Sequence, residues 1–237
     1  MAEHRSTRVG RLLDLVAKEP EGSWLQVALL SGMVPAKANL ATTMPTTVPA
    51  AIVGKLIYLE DEPDGLDTLV SSKNDKVRSL AGWVDARLAW PSKPGVPPPP
   101  KVTPLTSEEQ ARFEHGKEVY ALTCAACHQP TGLGLEGLAP PLVDSEWATG
   151  SAERMVRIVL QGVTGPISVN GVPYRMEMPA LPTLSDADIA SVLTYVRRQP
   201  EWEHTASPVD EATVAKIREQ TKSRQVLWTA DELSKVK

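Results

Sequence analysis

The chain has 237 residues, of which 42% are hydrophobic and 23% charged, with a net charge of −4. That length accommodates one or two domains, each with its own core, and the mildly acidic balance offers no basic surface for nucleic acid. No run of about 18 apolar residues occurs, so no transmembrane segment is expected.

From the N-terminus, Met1 to Arg11 is charged and lacks an apolar stretch, so no signal peptide is visible. Residues 1–92 are expected to be helical. Leu12, Leu13, Leu15 and Val16 form one apolar face, and Trp24, Leu25, Ala28 and Leu29 form a second at helical spacing. A loop rich in Thr, Pro and Ala (Val34 to Pro49) follows, after which Ile52, Leu56 and Leu59 continue the pattern. Leu66, Leu69 and Val70 precede a break at Ser71 to Asn74, and a last helix carries Val77, Leu80, Ala81, Val84 and Leu88. The pair Leu15-Val16 and Trp24 to Ala28 resembles the pair Leu69-Val70 and Asp75 to Ala81. The Asp75-x-Val77-Arg78-x-x-Ala81 form is similar to the second helix of a HEAT repeat. Two such helix pairs fall short of the three or so repeats that a solenoid core requires, so the segment is expected to end a longer array or to pack on another body.

Residues 93–105 form a linker centred on four consecutive prolines, Pro97 to Pro100, which favour a semi-rigid polyproline II spacer. Residues 106–200 then constitute a second domain, in which residues 108–200 carry eleven acidic and seven basic side chains. Thr106 and Glu109 form a capping box for a helix running to about Leu122, with Gly116 and Tyr120 four apart on one face. The stretch Thr131 to Gly137 is too glycine-rich for helix or strand. Ser151 caps a short helix stopped by Gly162. Asn170-Gly171 accepts the positive φ angles of a type I′ turn and predicts a hairpin between Ile167 and Tyr174. Ser185 caps a final helix with Ile189, Val192, Leu193 and Val196 on one face, and Pro200 ends it. Residues 201–237 are an extension with one helix, Asp210 to about Thr221, and a polar tail.

The only two cysteines lie in Cys124-Ala125-Ala126-Cys127-His128. Two thiols separated by two residues can add across the two vinyl groups of a haem, and the adjacent His128 then lies beneath the iron. This spacing is the attachment signature of a c-type haem. A thioredoxin-like redox pair requires a strand-helix context that is missing around Cys124. A zinc site from the two thiols and two histidines lacks a second ligand pair at finger-like spacing, because His4, His115 and His204 are scattered and expected at the surface. A carrier that only transfers electrons saturates its iron, and a soft thioether favours the ferrous state. Among six methionines, Met1 is terminal, Met33 and Met44 belong to the first segment, and Met155 lies on an apolar helix face. Met176 and Met178 remain. Met178 is preferred because Pro179 fixes the chain in an extended path there.

Residues 107–200 resemble the class I cytochrome c domain, and more closely the single-haem domains attached to membrane-associated sugar or alcohol dehydrogenases of bacteria. The resemblance rests on Gly116 to Tyr120, the Cys124 to His128 motif, Ala139-Pro140-Pro141-Leu142, Asn170-Gly171, Met178-Pro179, Leu184 to Ala190 and Val192 to Arg197. It implies an all-α fold with a small hairpin near the distal ligand, and one covalent haem c. It also implies that Gly116 and Tyr120 cross the last helix at Val192 and Val196. Pro140 would offer its carbonyl to the second nitrogen of His128, and Leu142 would pack on the haem. The order of HEAT-like helices and cytochrome domain is similar to that of planctomycete-type dehydrogenases, and Ala206 to Val209 with Trp228 to Leu233 resembles the tail of related domains.

The function so implied is electron transfer from a dehydrogenase donor to a respiratory-chain or soluble cytochrome acceptor, without catalysis by this chain. A periplasmic or otherwise extracytoplasmic location follows from haem c, with the leader removed or the chain the back end of a longer one. The alternatives are a haem-based catalyst or sensor with an open sixth position, and an interaction module using residues 1–92.

Overall fold

The computed structural model describes residues 5–34, 56–97 and 101–236. The expectations placed on Met1, His4, Ile52, Met44 and Pro98 to Pro100, and on most of the Val34 to Pro49 loop, lie outside the described residues. The chain divides into two compact units, residues 1–101 and 102–237.

In the first unit, α1 (Arg5–Lys18) and α2 (Trp24–Met33) precede α3 (Leu66–Val70) and α4 (Asp75–Asp85). Side chains start the helices as the sequence dictates. Ser23 Oγ accepts from the amide of Gln26, and Asn74 Oδ1 accepts from those of Lys76 and Val77, satisfying donors that have no partner inside a helix. Leu13, Val16, Leu30, Leu66, Leu69 and Leu80 are fully buried between the helices. The two interhelical loops are tied together: Glu21 Oε1 accepts from Ser72 Oγ at 2.6 Å and from the Lys73 amide at 2.7 Å.

Three expectations for this unit are corrected. Residues 56–59 are not helical: β1 (Ile57–Tyr58) pairs in parallel with β2 (Leu88–Ala89), and the Leu59 amide donates to Ala89 O at 2.7 Å. The buried face of α2 is Gln26 and Leu30, whereas Trp24 is 80% exposed. Gln26 is buried because its amide group serves the preceding loop, donating to Val16 O at 3.1 Å while accepting from the Gly22 amide at 2.8 Å. Leu15 turns outward from the face that Leu13 and Val16 present to the core.

The second unit begins with α5 (Ser107–Thr123), started by the Thr106–Glu109 capping box with both reciprocal bonds formed. A one-turn helix α6 (Ala125–His128) follows, then α7 (Glu146–Thr149), α8 (Ala152–Gln161), β3 (Val163–Thr164), and the hairpin β4 (Ile167–Val169) and β5 (Val172–Tyr174). Asn170 and Gly171 have φ of 51° and 76°, as a turn between such short strands requires. Helix α9 (Asp186–Arg198) leads through a 3₁₀ turn to α10 (Glu211–Thr221), β6 (Trp228–Thr229) and α11 (Ala230–Ser234).

Helices α5 and α9 cross at Gly116. A Cβ there would lie 2.0 Å from Ser191 O and 2.9 Å from Tyr195 Cβ, so only glycine permits the approach. The partners of this crossing are therefore Ser191 and Tyr195, not Val192 and Val196. The valines sit one position on, about 100° further round the helix, where they help to line a crevice. Phe113, Tyr195, Tyr120 and Trp202, in that order, form an aromatic cluster with successive centroids 5.2, 5.3 and 5.8 Å apart. The fold is mainly helical with a few short strands. Residues 201–236 belong to this same unit, contributing Trp202, Val209, Val214, Ile217 and Leu233 to its buried side chains.

Candidate functional site

Helix α5 ends at Cys124, and the Cys124 carbonyl accepts from the amides of Cys127 and His128, at 3.2 and 2.9 Å. That single turn, α6, brings both thiols and the imidazole to one side of the chain. The exit is held by the Tyr120 hydroxyl, which donates to Gln129 O at 2.7 Å, and by Gln129 itself at φ 63°. Tyr120 is buried, which pushes its phenol pKa upward and keeps the hydroxyl as donor.

His128 is buried, and its Nδ1 lies 3.0 Å from Pro140 O. Burial lowers its pKa, and the carbonyl contact opposes that shift only in part. The ring is therefore neutral at ordinary pH, with Nδ1–H donating to the carbonyl and the Nε2 lone pair free as a ligand. The Pro140 carbonyl is presented by the glycine loop. At Gly134, where φ is +70°, an added Cβ would come within 2.6 Å of Pro140 O, and the Gly134 amide donates to His128 O at 3.0 Å. Gly132 makes the same kind of approach to the ring of Trp202.

Cys124, Cys127, His128, Pro140, Leu142 and Met178 all line one crevice, which encloses about 1190 Å³ of empty space with its open mouth included. Met155, Ile158, Val159, Leu193 and Val196 supply apolar walls. Cys124 and Cys127 are free thiols, and burial pushes that of Cys124 up, with a contact to the Thr123 hydroxyl acting in the other direction. Met176 also reaches the crevice and is 54% exposed. Met178 is more enclosed and its backbone is fixed on both sides: its amide donates to Val163 O at 3.0 Å, and its carbonyl accepts from the Val163 amide at 3.1 Å. The residues present fit a haem of the c type: two thiols for its vinyl groups, one imidazole nitrogen, methionine thioethers and a largely apolar enclosure. Among the described residues, no group of three or more His, Cys, Asp or Glu side chains is placed to hold a metal ion.

The sequence leaves two buried polar residues near the crevice unnoticed. His204, expected at the surface, is 3% exposed; its Nε2 accepts from the Asp144 amide at 3.1 Å and its Nδ1 lies 2.6 Å from Val196 O. Arg197 is equally buried and donates to the carbonyls of Ala148, Gly150 and Ser207 at 2.7 to 2.9 Å, while burial pushes its pKa down. His115 faces Asp188 at 2.8 Å, tying α5 to the start of α9.

Residues 111–196 match the family profile described as cytochrome C oxidase, cbb3-type, subunit III. With the crevice and its donor set, this makes the segment a cytochrome c domain. Its relatives include cytochrome c-552 of Thermus thermophilus, 35% identical over 85 residues, 34% of this chain and 64% of that protein. The gluconate 2-dehydrogenase cytochrome c subunit of Pantoea cypripedii is 36% identical over 88 residues, which is 35% of this chain and 19% of that subunit. The cytochrome c subunit of the alcohol dehydrogenase (quinone) of Gluconobacter oxydans is 26% identical over 148 residues, 61% of this chain and 30% of its own length. The chain thus spans less than two thirds of each of these relatives. Among the described residues no helix is long and apolar enough to cross a membrane.

Proposed function

We propose that the second unit relays single electrons through one covalently attached haem c, with His128 and Met178 as axial ligands. The observation that carries this reading is the convergence of Cys124, Cys127, His128 and Met178 on one apolar crevice, with His128 Nδ1 on Pro140 O at 3.0 Å. When bound, the group supplies one-electron chemistry between ferrous and ferric iron. Cys124 and Cys127 hold it covalently, and the Pro140 carbonyl fixes the tautomer and plane of His128. Leu142 and the apolar walls exclude water. Met178 would supply the second protein ligand. The chain acts as an electron-transfer domain rather than as a catalyst.

The donor is a sugar or alcohol dehydrogenase, a reading supported by two relatives that are cytochrome subunits of dehydrogenases. The acceptor is a respiratory-chain component or a soluble cytochrome, and the location is extracytoplasmic, where haem c is attached. We infer that helices α1 to α4 belong to a HEAT-like segment, residues 1–92, of the kind that precedes the cytochrome domain in planctomycete-type dehydrogenases, separated from residues 106–200 by the linker at 93–105.

The test is a visible spectrum of the reduced, exported protein. Narrow α and β bands that survive acid–acetone extraction are expected, and absence of a Soret band overturns the reading. Met178→Ala should abolish the weak far-red ferric band that reports thioether ligation. If Met176→Ala abolishes it instead, the ligand is Met176; if the ferric wild type lacks the band altogether, no thioether binds and the reading of a catalyst or sensor with an open sixth position replaces this one.

A further inference from the structure

Strand β3 has two edges, and both are occupied at the same residues. On one edge Val163 exchanges both backbone hydrogen bonds with Met178. On the other, Val163 and Thr164 pair in parallel with Trp228 and Thr229, and the Trp228 amide donates to Gly162 O at 3.1 Å. Gly162 shows how closely the three strands meet. A Cβ there would lie 2.4 Å from Met178 O and 2.4 Å from Leu227 Cδ2, with the Met178 segment and the C-terminal tail filling the space together.

The tail is itself well anchored. Leu233 is fully buried in a cluster with Ile158, Val163, Ile167 and Val169, against which Met178 and Trp228 pack. The Trp228 indole donates to Gln161 Oε1 at 3.2 Å. Arg224 lies 3.6 Å over the Trp228 ring and pairs with Glu232 at 2.9 Å.

We infer that residues 224–234 are a positioning clamp for Met178: by completing β3 from its far edge, the C-terminal tail holds the thioether-bearing segment against the crevice. This rests on the reading of Met178 as sixth ligand. A two-residue strand held on one edge by two hydrogen bonds opens readily in water, whereas the same strand paired on both edges and capped by Leu233 must lose all of these contacts to open. No residue of 224–234 lines the crevice that Cys124, Cys127 and His128 share, so releasing the tail should weaken the Met178 side of the iron while the covalent attachment stays.

Three measurements on the full-length holoprotein test this. First, hydrogen exchange in the ferrous wild type should show the amides of Val163, Met178 and Trp228 opening together as one unit. Exchange at Trp228 at least ~10-fold faster than at Met178 would overturn the clamp. Second, Leu233→Asp should retain covalent haem, weaken the far-red band and bind carbon monoxide in the ferrous state at least ~10-fold faster than wild type. An unchanged band and unchanged carbon monoxide kinetics, in a variant whose tail has become protease-sensitive, would also overturn it. Should that variant fail to fold, the exchange measurement decides. Third, Met178→Ala with its tail intact serves as control: if it keeps the far-red band, the ligand assignment fails while the exchange result still reports on the clamp.

Discussion

Gly116 shows how much one missing methyl group decides. An alanine there would gain about 1 kcal/mol of helix propensity, but its Cβ would fall 2.0 Å from a backbone oxygen of α9, which no rotamer change can move. Overpacking of this kind costs about 1–3 kcal/mol, so Gly116→Ala should be destabilising overall. Its urea midpoint should fall with unchanged slope; a midpoint at or above wild type would mean that α5 and α9 separate without loss. At this scale the sequence is legible where chemistry is local. The Cys124 to His128 spacing depends on a single helical turn, and Asn170-Gly171 depends only on its own φ angles. Arg197 and His204 could not be read, because a polar side chain is buried only when distant carbonyls and amides meet it. The Gly116 partners were misplaced by one residue for the same reason, since an apolar face identifies the buried side of α9 but not which of its residues meet the crossing helix.

Among the elements, the helices that declare themselves through caps are the ones the sequence predicts well: Thr106, Ser151, Ser185 and Asp210 each accept from the amide three residues on, in the first turn of the helix that follows. The two-residue strands β1, β3 and β6 carry no periodicity of their own, and they exist only because a distant backbone edge is available. Helix α9 carries a pH prediction. The Asp188 carboxyl is held below its ordinary value chiefly by the Ser185 hydroxyl and then by His115. The unfolded chain therefore binds a proton at Asp188 more readily than the folded one, and stability rises with pH through this range. The contribution is fully present above the ordinary carboxylate value of about 4 and is lost as pH falls through the depressed one. Asp188→Asn should accordingly flatten the acid limb of the stability curve while leaving its slope near neutrality unchanged. An acid limb as steep as that of wild type would remove Asp188 from the account.

Among the described residues each unit has its own main core, and the second unit carries a smaller cluster around Leu233 as well. One main core is built on Leu13, Val16, Leu30, Leu69 and Leu80, the other on Tyr120, Val156, Ile189, Leu193 and Ile217. A chain with two cores need not unfold in one step, and the proposed haem sits wholly in the second, so it should report on that core alone. Leu80 is fully buried in the first unit, and replacing it with alanine removes methyl groups at a cost of about 2–5 kcal/mol. Leu80→Ala should therefore lower a transition followed by far-ultraviolet circular dichroism that the Soret band does not register, and leave the Soret transition where it is. Residues 102–237, exported with the haem-attachment machinery, should give the same reduced spectrum and midpoint potential as the full chain. A Soret transition that moves with Leu80→Ala, or a shortened chain that fails to take up haem, would show that the first unit is needed to stabilise the crevice. The first unit would then have a direct part in holding the haem rather than only preceding it.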